Sequence, residues 1–442
     1  MKGSAKAEKV TYVCTECRYQ AAKWLGFCPH CRSDKALIPQ EAPVARPLAR
    51  DISLVSATAP NASPHDRNPV GIQEFDRVLG GGVVPGAAIL IGGEPGVGKS
   101  TLLLHVADAL AGESGTVLMA TAEESTAQVQ LRARRIGVSS DGVSLCSLSD
   151  VDAIMSLASE IKPNAFIVDS IQTITSVDVS GSAGGVSQVR ECAARLVSFA
   201  KRSGIPVMLV GHVTKDGSIA GPRMLEHMVD VVLYLEGEPD YGLRFLRGIK
   251  NRYGPAGEVG VFEMTQDGLV GVPDPSGLMV SHRNDSAPGT ILFPTLEGKR
   301  PLVVEVQALV VPSEAPQPRR AINGMASSRV HQILGVLERH LAIPLRSHEV
   351  YVSVMGGIKV SEPAADLPTA LAVASAYFKV ALHSTAAWGE LGLTGEVRPV
   401  PRSTIRVAEA QRVGATPLVS PHGGVRHLMD ALTMAGLHDR GR

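Results

Sequence analysis

Residues Gly93 to Ser100 read Gly-Glu-Pro-Gly-Val-Gly-Lys-Ser, and this run constrains the fold more than any other part of the chain. It matches G-x4-G-K-S, in which glycines turn the backbone tightly and aim several N–H groups at phosphate oxygens. Gly93, Glu94, Pro95, Gly96, Val97 and Gly98 are the candidate cradle, and Thr101 follows it. Lys99 is placed to put a point charge on the β- and γ-phosphates, and the Ser100 hydroxyl is a candidate Mg²⁺ ligand. The flanks agree. Ala88 to Ile91 is a short apolar run suited to a buried strand, and Thr101 to Leu110 has a helical apolar pattern. Strand, loop and helix in that order are the context the motif requires.

The alternation continues beyond the loop. Thr116 to Ala120 and Ala165 to Val168 read as strands, the second ending on Asp169, a candidate Mg²⁺ partner acting through water. Val186 to Ser203 has a helical apolar face and stops at Gly204, and Ile205 to Val210 is the next strand. Apolar strands alternating with helices predict a parallel sheet covered on both faces. Glu123 and Glu124 follow the 116–120 strand at the sheet edge where ligands sit in such folds. Either carboxylate is placed to polarise a water, with Glu123 the preferred base. Glu124 and Ser125 also precede a 126–135 helix, with Ser125 as its N-cap. His212, just past the 205–210 strand, is either a γ-phosphate sensor or a structural histidine.

The chain has 442 residues, 44% of them hydrophobic, with formal net charge zero. Two or three domains are expected. Any binding to nucleic acid must come from local basic patches, because the whole-chain field is neutral. The N-terminus carries Lys2, Lys6 and Lys9 with no apolar stretch behind them, so no signal peptide is expected. No run of 18 apolar residues occurs, so no membrane span is expected and the reading is cytoplasmic. Of six cysteines, Cys146 and Cys192 are isolated in apolar segments and read as buried thiols. The other four form two C-x2-C pairs, Cys14/Cys17 and Cys28/Cys31. Tandem pairs in a reducing compartment point to a four-thiolate structural Zn²⁺ site in place of disulfides. About thirty residues bury too little apolar surface to fold unaided. His30 reads as a bystander.

These features divide the chain into a knuckle at 1–35, a Pro/Ala/Ser-rich linker at 36–69, an ATPase core at 70–270, a second linker at 271–290 and a mixed α/β domain at 291–442. In the last, Pro301 to Val310 and the alternating Val350, Val352 and Val354 read as strands. Val330 to His340, Asp366 to Phe378 and Arg406 to Val413 read as helices.

Gly211 to Asp230 (G-H-V-T-K-D-G-S-I-A-G-P-R-M-L-E-H-M-V-D) closely resembles the bacterial RadA/Sms DNA-repair family. So do A-T-A-E-E-S, D-S-I-Q-T, V-S-Q-V-R-E-C-A-A and the four-cysteine knuckle with Trp24-Leu25-Gly26 inside it. Lys250-Asn251-Arg252-Tyr253-Gly254 matches that family's K-N-R-F-G motif with Tyr for Phe. The resemblance spans nearly the whole chain in the expected order. It implies a RecA-like P-loop ATPase core with an N-terminal zinc ribbon and a C-terminal Lon-protease-like α/β domain. It further implies ATP, Mg²⁺ and Zn²⁺ as cofactors and a homo-hexameric ring. The ring would move along single-stranded and branched DNA during branch migration, with a RecA-type recombinase as a further partner. Lys99, Ser100, Glu123 and Asp169 fall on the family's nucleotide positions.

Lys250 and Arg252, one residue apart, would project to one side of an extended strand. They are candidates for trans catalysis at a neighbour's ATP, for DNA phosphate contact, or for a solvated basic turn. Ser176 to Gln188 and Thr214 to Arg223 are glycine-rich stretches read as DNA loops, the second with Lys215 and Arg223. Lon-like proteases use a Ser–Lys dyad. Ala364 stands at the matching serine position, Lys379 is the last lysine, and Arg406, near the matching base position, cannot act as a base near neutral pH. The C-terminal domain is therefore expected to be catalytically inactive as a protease. Two functions remain open: an ATP-driven DNA motor, and an adaptor that uses ATP as an assembly switch.

Overall fold

The computed structural model describes residues 11–17, 19–21, 23–33, 38–40, 67–212, 222–237 and 242–437. The chain forms two compact units, residues 1–63 and 64–442. In the first, β1 (Thr11–Val13) pairs antiparallel with β2 (Gln20–Ala21) and with β3 (Ile38–Gln40). β3 lies inside the stretch read from composition as a linker, so the knuckle's sheet runs past residue 35. Among the described residues its buried apolar core consists of Cys14, Ala21 and Cys28.

In the second unit, α1 (Gln73–Leu79) leads to β4 (Ala88–Gly93), the phosphate loop and α2 (Lys99–Ala111). Then come β5 (Val117–Thr121), α3 (Thr126–Arg135), β6 (Val143–Cys146) and α4 (Val151–Ile161). They are followed by β7 (Ala165–Asp169), α5 (Val186–Ser203), β8 (Val207–His212), α6 (Pro222–Met228) and β9 (Val231–Glu236). Six strands pair in parallel in the order β9-β4-β8-β7-β5-β6. Beyond β9 the sheet continues antiparallel through β10 (Leu243–Asn251), β11 (Val259–Thr265) and β12 (Gly268–Gly271).

The period-two geometry of a strand explains why these segments are apolar throughout. Ile89 and Ile91 of β4 enter the core packed by α1 and α2. Ala88 and Leu90 enter the opposite core, with residues of α4, α5 and α6. Ser125 caps α3 as its sequence predicts: its Oγ accepts the Gln128 N–H at 3.4 Å, and Gln128 Oε1 accepts the Ser125 N–H at 3.0 Å.

The stretch read as a second linker holds α7 (Pro275–Val280), which packs on the C-terminal sheet. Buried Ser276 explains the docking: its Oγ donates to Glu409 Oε1 at 2.5 Å and accepts the Val303 N–H at 3.0 Å. The C-terminal part contains β13 (Thr290–Glu297), β14 (Arg300–Pro312), β15 (Arg320–Asn323), α8 (Ser327–Leu341) and β16 (His348–Val354). It continues with α9 (Asp366–Phe378), β17 (Ala386–Ala387), β18 (Glu390–Leu391), β19 (Val397–Arg398), α10 (Ser403–Arg412), β20 (Leu418–Val419) and α11 (Leu428–Met434). Its main sheet has the order β15-β16-β14-β13-β17-β20.

A buried ion pair joins the two sheets. Arg300, at the start of β14, pairs with Glu74 of α1, and their side chains are 8% and 1% exposed. The guanidinium also donates to the Val259 carbonyl at 3.1 Å, and Glu74 accepts the Val261 N–H at 2.8 Å. Arg300→Met leaves the buried Glu74 carboxylate to the more exposed Arg77, 3.5 Å away, so it should destabilise the protein by about 3 kcal/mol. Chemical unfolding measures this, and adding Glu74→Gln to Arg300→Met should recover much of the loss.

Candidate functional site

The phosphate loop joins the buried β4 to α2 through two glycines that no other residue replaces without strain. Gly93 has φ +155°, and a Cβ there would lie 2.5 Å from the Leu235 carbonyl oxygen. Gly98 has φ +111°, and a Cβ would lie 2.8 Å from Met264 Cε. The first residue of α2 is Lys99, whose ammonium donates to the carbonyls of Gly93 and Glu94, both at 2.9 Å. The side chain is buried, and burial pushes its pKa down, while the nearby Asp169 and Glu123 carboxylates pull it back up.

Parallel register brings the remaining groups to the same edge. Thr121 at the end of β5 is level with Asp169 at the end of β7. Gly93 is level with His212 at the end of β8; the His212 side chain lies outside the described residues. Lys99, Ser100, Thr101, Glu123 and Asp169 line one cavity of about 270 Å³, together with Pro95, Gly96 and Gly98 of the loop. Oxygen donors opposite a buried cation and a backbone cradle suit a triphosphate with a hard cation.

The structure separates the two adjacent glutamates. Glu124 pairs with Arg132 at 2.6 Å, and its backbone carbonyl accepts from Thr121 Oγ1 at 2.6 Å. Both Thr121 and Arg132 line the cavity, and neither carries a sequence signal that singles it out. Glu123 and Glu124 both line that cavity, and Glu123 also acts electrostatically on Lys99.

Lys250 and Arg252 lie at the opposite edge of the sheet. Lys250 pairs with Val232 and Asn251 with Val231, at the start of β9, and Val231 is level with Ile89 near the start of β4. Four residues of strand, about 13 Å, separate that level from Gly93. A register shift between Gly248 and Lys250 breaks the simple alternation expected of the motif. The two cations therefore have different surroundings. Lys250 Nζ donates to the carbonyls of Glu226 at 2.7 Å and Val229 at 2.8 Å, at the C-terminal end of α6. Burial and the Arg252 charge lower its pKa, partly offset by Asp230 and Glu226.

Arg252 is 57% exposed and lies 3.7 Å from Asp230. Asp230, which the sequence reading passed over, is a junction. It accepts the Ala88 N–H at 3.0 Å and the Lys201 ammonium at 2.5 Å. Burial pushes its pKa up, but the Ala88 amide and Lys201 outweigh that and hold it below the usual carboxylate range. A lone carboxylate inside Met-Val-Asp-Val-Val was the available signal. The Tyr-for-Phe departure at Tyr253 gains a partner, since Lys201 donates to its hydroxyl at 2.7 Å.

Of the glycine-rich stretches, Ser176 to Gln188 folds back on itself. Buried Gln188 accepts the Ser176 N–H at 2.8 Å and donates to the Ser176 carbonyl at 3.1 Å. Most of Thr214 to Arg223, including Lys215, lies outside the described residues, as does the Arg223 side chain. Cys192 is buried as expected, whereas Cys146 is half-buried.

In the knuckle, the four Sγ atoms of Cys14, Cys17, Cys28 and Cys31 lie within 4.8 Å of one another, and all four thiols are free. Burial pushes Cys28 up, but the backbone N–H groups of Cys31 and His30 and neighbouring thiols bring it down to about 6. At Cys31 the Ser33 amide pulls downward, but the Cys17 thiol, burial and the other thiols push it up to about 12. Thiolates crowded this closely repel one another, and a tetrahedral dication would remove that repulsion.

In the C-terminal part, Ala364 and Arg406 line a cavity of about 310 Å³. Its lining, among the described residues, includes no Ser, Thr, Cys, Lys or His. Arg406 is buried, pairs with Glu362 and donates to the Pro294 carbonyl at 2.6 Å.

The parallel sheet, the glycine cradle and the lysine–carboxylate cavity define a P-loop ATPase. Consistent with this, a family model described as "AAA domain" matches residues 60–218. The DNA repair protein RadA of Bacillus subtilis is 42% identical over 423 residues, covering 93% of this chain and 92% of that one. RadA of Streptococcus pyogenes is 44% identical, covering 95% and 94%. RadA of Mycolicibacterium smegmatis is 43% identical, covering 93% and 91%. The chain belongs to the RadA family of DNA repair proteins. No helix among the described residues is long and apolar enough to cross a membrane.

Proposed function

We propose that the protein is an ATP-driven motor that acts on single-stranded and branched DNA in homologous recombination and repair, promoting branch migration as a homo-hexameric ring. The observation that carries this reading is the division of charge between the sheet edges. Lys99, Glu123 and Asp169 converge on the cavity, while Arg252 lies one residue beyond Asn251, whose level is already about 13 Å of strand from its own phosphate loop, too far to serve it.

In this reading, the loop amides and Lys99 hold the β- and γ-phosphates. Ser100 and, through water, Asp169 would hold Mg²⁺, which would supply charge against that developing on the phosphates. Glu123 accepts the proton of the attacking water, while Glu124, in the same cavity, is held in its ion pair with Arg132. Arg252 supplies charge to the triphosphate of an adjacent subunit, the kind of contribution worth about 10³–10⁵ in rate in related phosphoryl-transfer enzymes. Structural Zn²⁺ holds the knuckle, and the C-terminal part serves as a ring-forming and DNA-binding scaffold without peptidase activity. Family membership and a described lining around Ala364 that holds no Ser, Thr or Cys support this over proteolysis. A cytoplasmic location and a RecA-type recombinase partner belong to the same reading.

The test compares DNA-dependent ATPase and strand-branch migration for the wild type and Arg252→Ala. Movement of the branch with ATP supports the motor. ATPase without movement selects the adaptor that uses ATP only as an assembly switch. Glu123→Gln should lower hydrolysis by about 10²–10⁴-fold while leaving nucleotide affinity nearly unchanged. Steady-state ATPase alongside equilibrium nucleotide binding checks this, and equal loss in a Glu124→Gln variant would reassign the base.

A further inference from the structure

The chain turns sharply where β7 leaves the nucleotide cavity. Asp169 lines the cavity, and one short helical turn, Ile171–Thr173, follows after Ser170. The turn is pinned to the strand end. Thr173 donates to the Ser170 carbonyl through its N–H at 3.2 Å and through Oγ1 at 2.7 Å, and Ile171 and Ile174 are buried in the core shared with α5. Gln172 sits between those two anchors. Its carboxamide lies beside the end of β8: a Cβ added at Gly211 would be 3.9 Å from Gln172 Nε2. Its backbone carbonyl lies beside the Ser176–Gln188 segment: a Cβ added at Gly184 would be 3.4 Å from that oxygen. Among the described residues, Gln172 Oε1 and Ser170 Oγ are buried with no hydrogen-bond partner. Buried polar atoms are almost always bonded, and an apolar side chain of the same shape removes the cost of an orphaned one. Two such atoms in one turn beside the cavity break a rule of stable packing, as functional positions do.

Strand register connects this turn to the phosphate loop. Gly211 is level with Gly92, and the next residue, His212, with Gly93. The Gly93 carbonyl holds the Lys99 ammonium. A triphosphate competes for that ammonium, so its arrival changes the bonding at the strand end that Gln172 touches. We propose that Gln172 is a positioning residue that couples the Ser176–Gln188 segment to the nucleotide. Its carboxamide oxygen accepts an N–H at the end of β8 when the triphosphate is bound, and the pinned turn carries that change to Gly184. A close-packed turn transmits such a displacement because no slack exists to absorb it. The role of this segment in DNA contact rests on the reading above; its coupling to the nucleotide does not.

Gln172→Met keeps the length of the side chain and removes the carboxamide. Thermal unfolding should show an unchanged or raised Tm, because the variant loses a buried acceptor that has no partner in this fold. Binding of a non-hydrolysable ATP analogue with Mg²⁺ should stay close to wild type, because the cavity is lined by other residues. The stimulation of ATPase by single-stranded oligo(dT) should fall about tenfold, within the usual range for coupling between two sites, while turnover without DNA is kept. A fall in Tm together with an equal loss of turnover with and without DNA would assign Gln172 to packing and overturn the proposal.

Hydrogen exchange reads the coupling without DNA. The Ser176 N–H is bonded to Gln188 Oε1 at 2.8 Å, and the Gly185 N–H to the Ser182 carbonyl at 3.1 Å. In the wild type, the ATP analogue should change exchange at these two amides severalfold. In Gln172→Met it should not, at equal occupancy of the nucleotide site. An equal response in the two proteins overturns the proposal, and so does a wild type that shows no response. If oligo(dT) fails to stimulate the wild type, the DNA-motor reading fails, and the exchange measurement alone decides the role of Gln172. Gln172→Asn keeps a carboxamide one methylene too short to reach the end of β8, so it should lose the response as well. That arm stands even if Gln172→Met does not fold.

Discussion

Lys99→Ala should reduce ATP turnover by about 10²–10³-fold, the loss that follows removal of one preorganised charge partner from a developing oxyanion. The side chain is buried, 4% exposed, and already aimed at the loop by its bonds to the Gly93 and Glu94 carbonyls. An arriving triphosphate meets a cation whose desolvation occurred during folding. Little reorganisation is needed, which is why one side chain carries so large an effect. Asp169 and Glu123 oppose the burial that lowers its pKa. Lys99→Arg should fail as well, because a planar fork does not fit a pocket shaped around a point charge. Steady-state ATPase is the measurement, with thermal unfolding as the control for folding. The two carbonyls left unpaired lie beside an open cavity, where water replaces the ammonium. Retention of more than a tenth of wild-type turnover would sink this account of the site.

Removal of Zn²⁺ should unfold residues 11–40 and leave the 64–442 unit intact. Among its described residues the knuckle buries three apolar side chains, far too few to offset the ordering of its backbone. Metal binding contributes about 10–16 kcal/mol in comparable small zinc domains, so it is the folding free energy of this unit. Chelation or Cys28→Ser should release the amides now bonded across the cysteine turns: Cys14 N–H to Tyr19, Cys28 N–H to Ser33 and Arg32 N–H to Cys28, at 2.9–3.0 Å. Hydrogen exchange reads these directly. The larger unit supplies an internal reference, since its cores around Phe166 and Trp388 do not depend on metal. Persistent protection of the cysteine turns without zinc would refute the metal site.

The cavity was legible in the sequence because each of its parts is a local rule. The glycines of the loop are required by positive φ, and Asp169 and Glu123 follow apolar strands whose ends a parallel sheet must bring to one edge. Helices α5 and α9 begin and end where their apolar periodicity does. Less regular segments were harder to read. The 275–280 helix sits in a stretch rich in Pro, Gly, Ser and Asp that looks like a linker, and it is ordered by Ser276, whose partners lie 27 and 133 residues away. The ion pair that sets Glu124 apart from Glu123 likewise comes from Arg132, eight residues further along, through one side-chain contact.

By itself the sequence determined the class of fold, the position of the nucleotide cavity and the metal-ligand spacing of the knuckle. Strand periodicity, backbone conformation and ligand spacing act over a few residues and leave their mark in residue types. Only the tertiary structure decided what surrounds the cations outside the cavity. A register shift before Lys250, invisible as a pattern, turns its ammonium onto α6 and leaves Arg252 exposed beside Asp230. Arg300 is one arginine among many until the fold buries it against Glu74, 226 residues earlier. The role of such a charge depends on the dielectric and the partners that folding gives it.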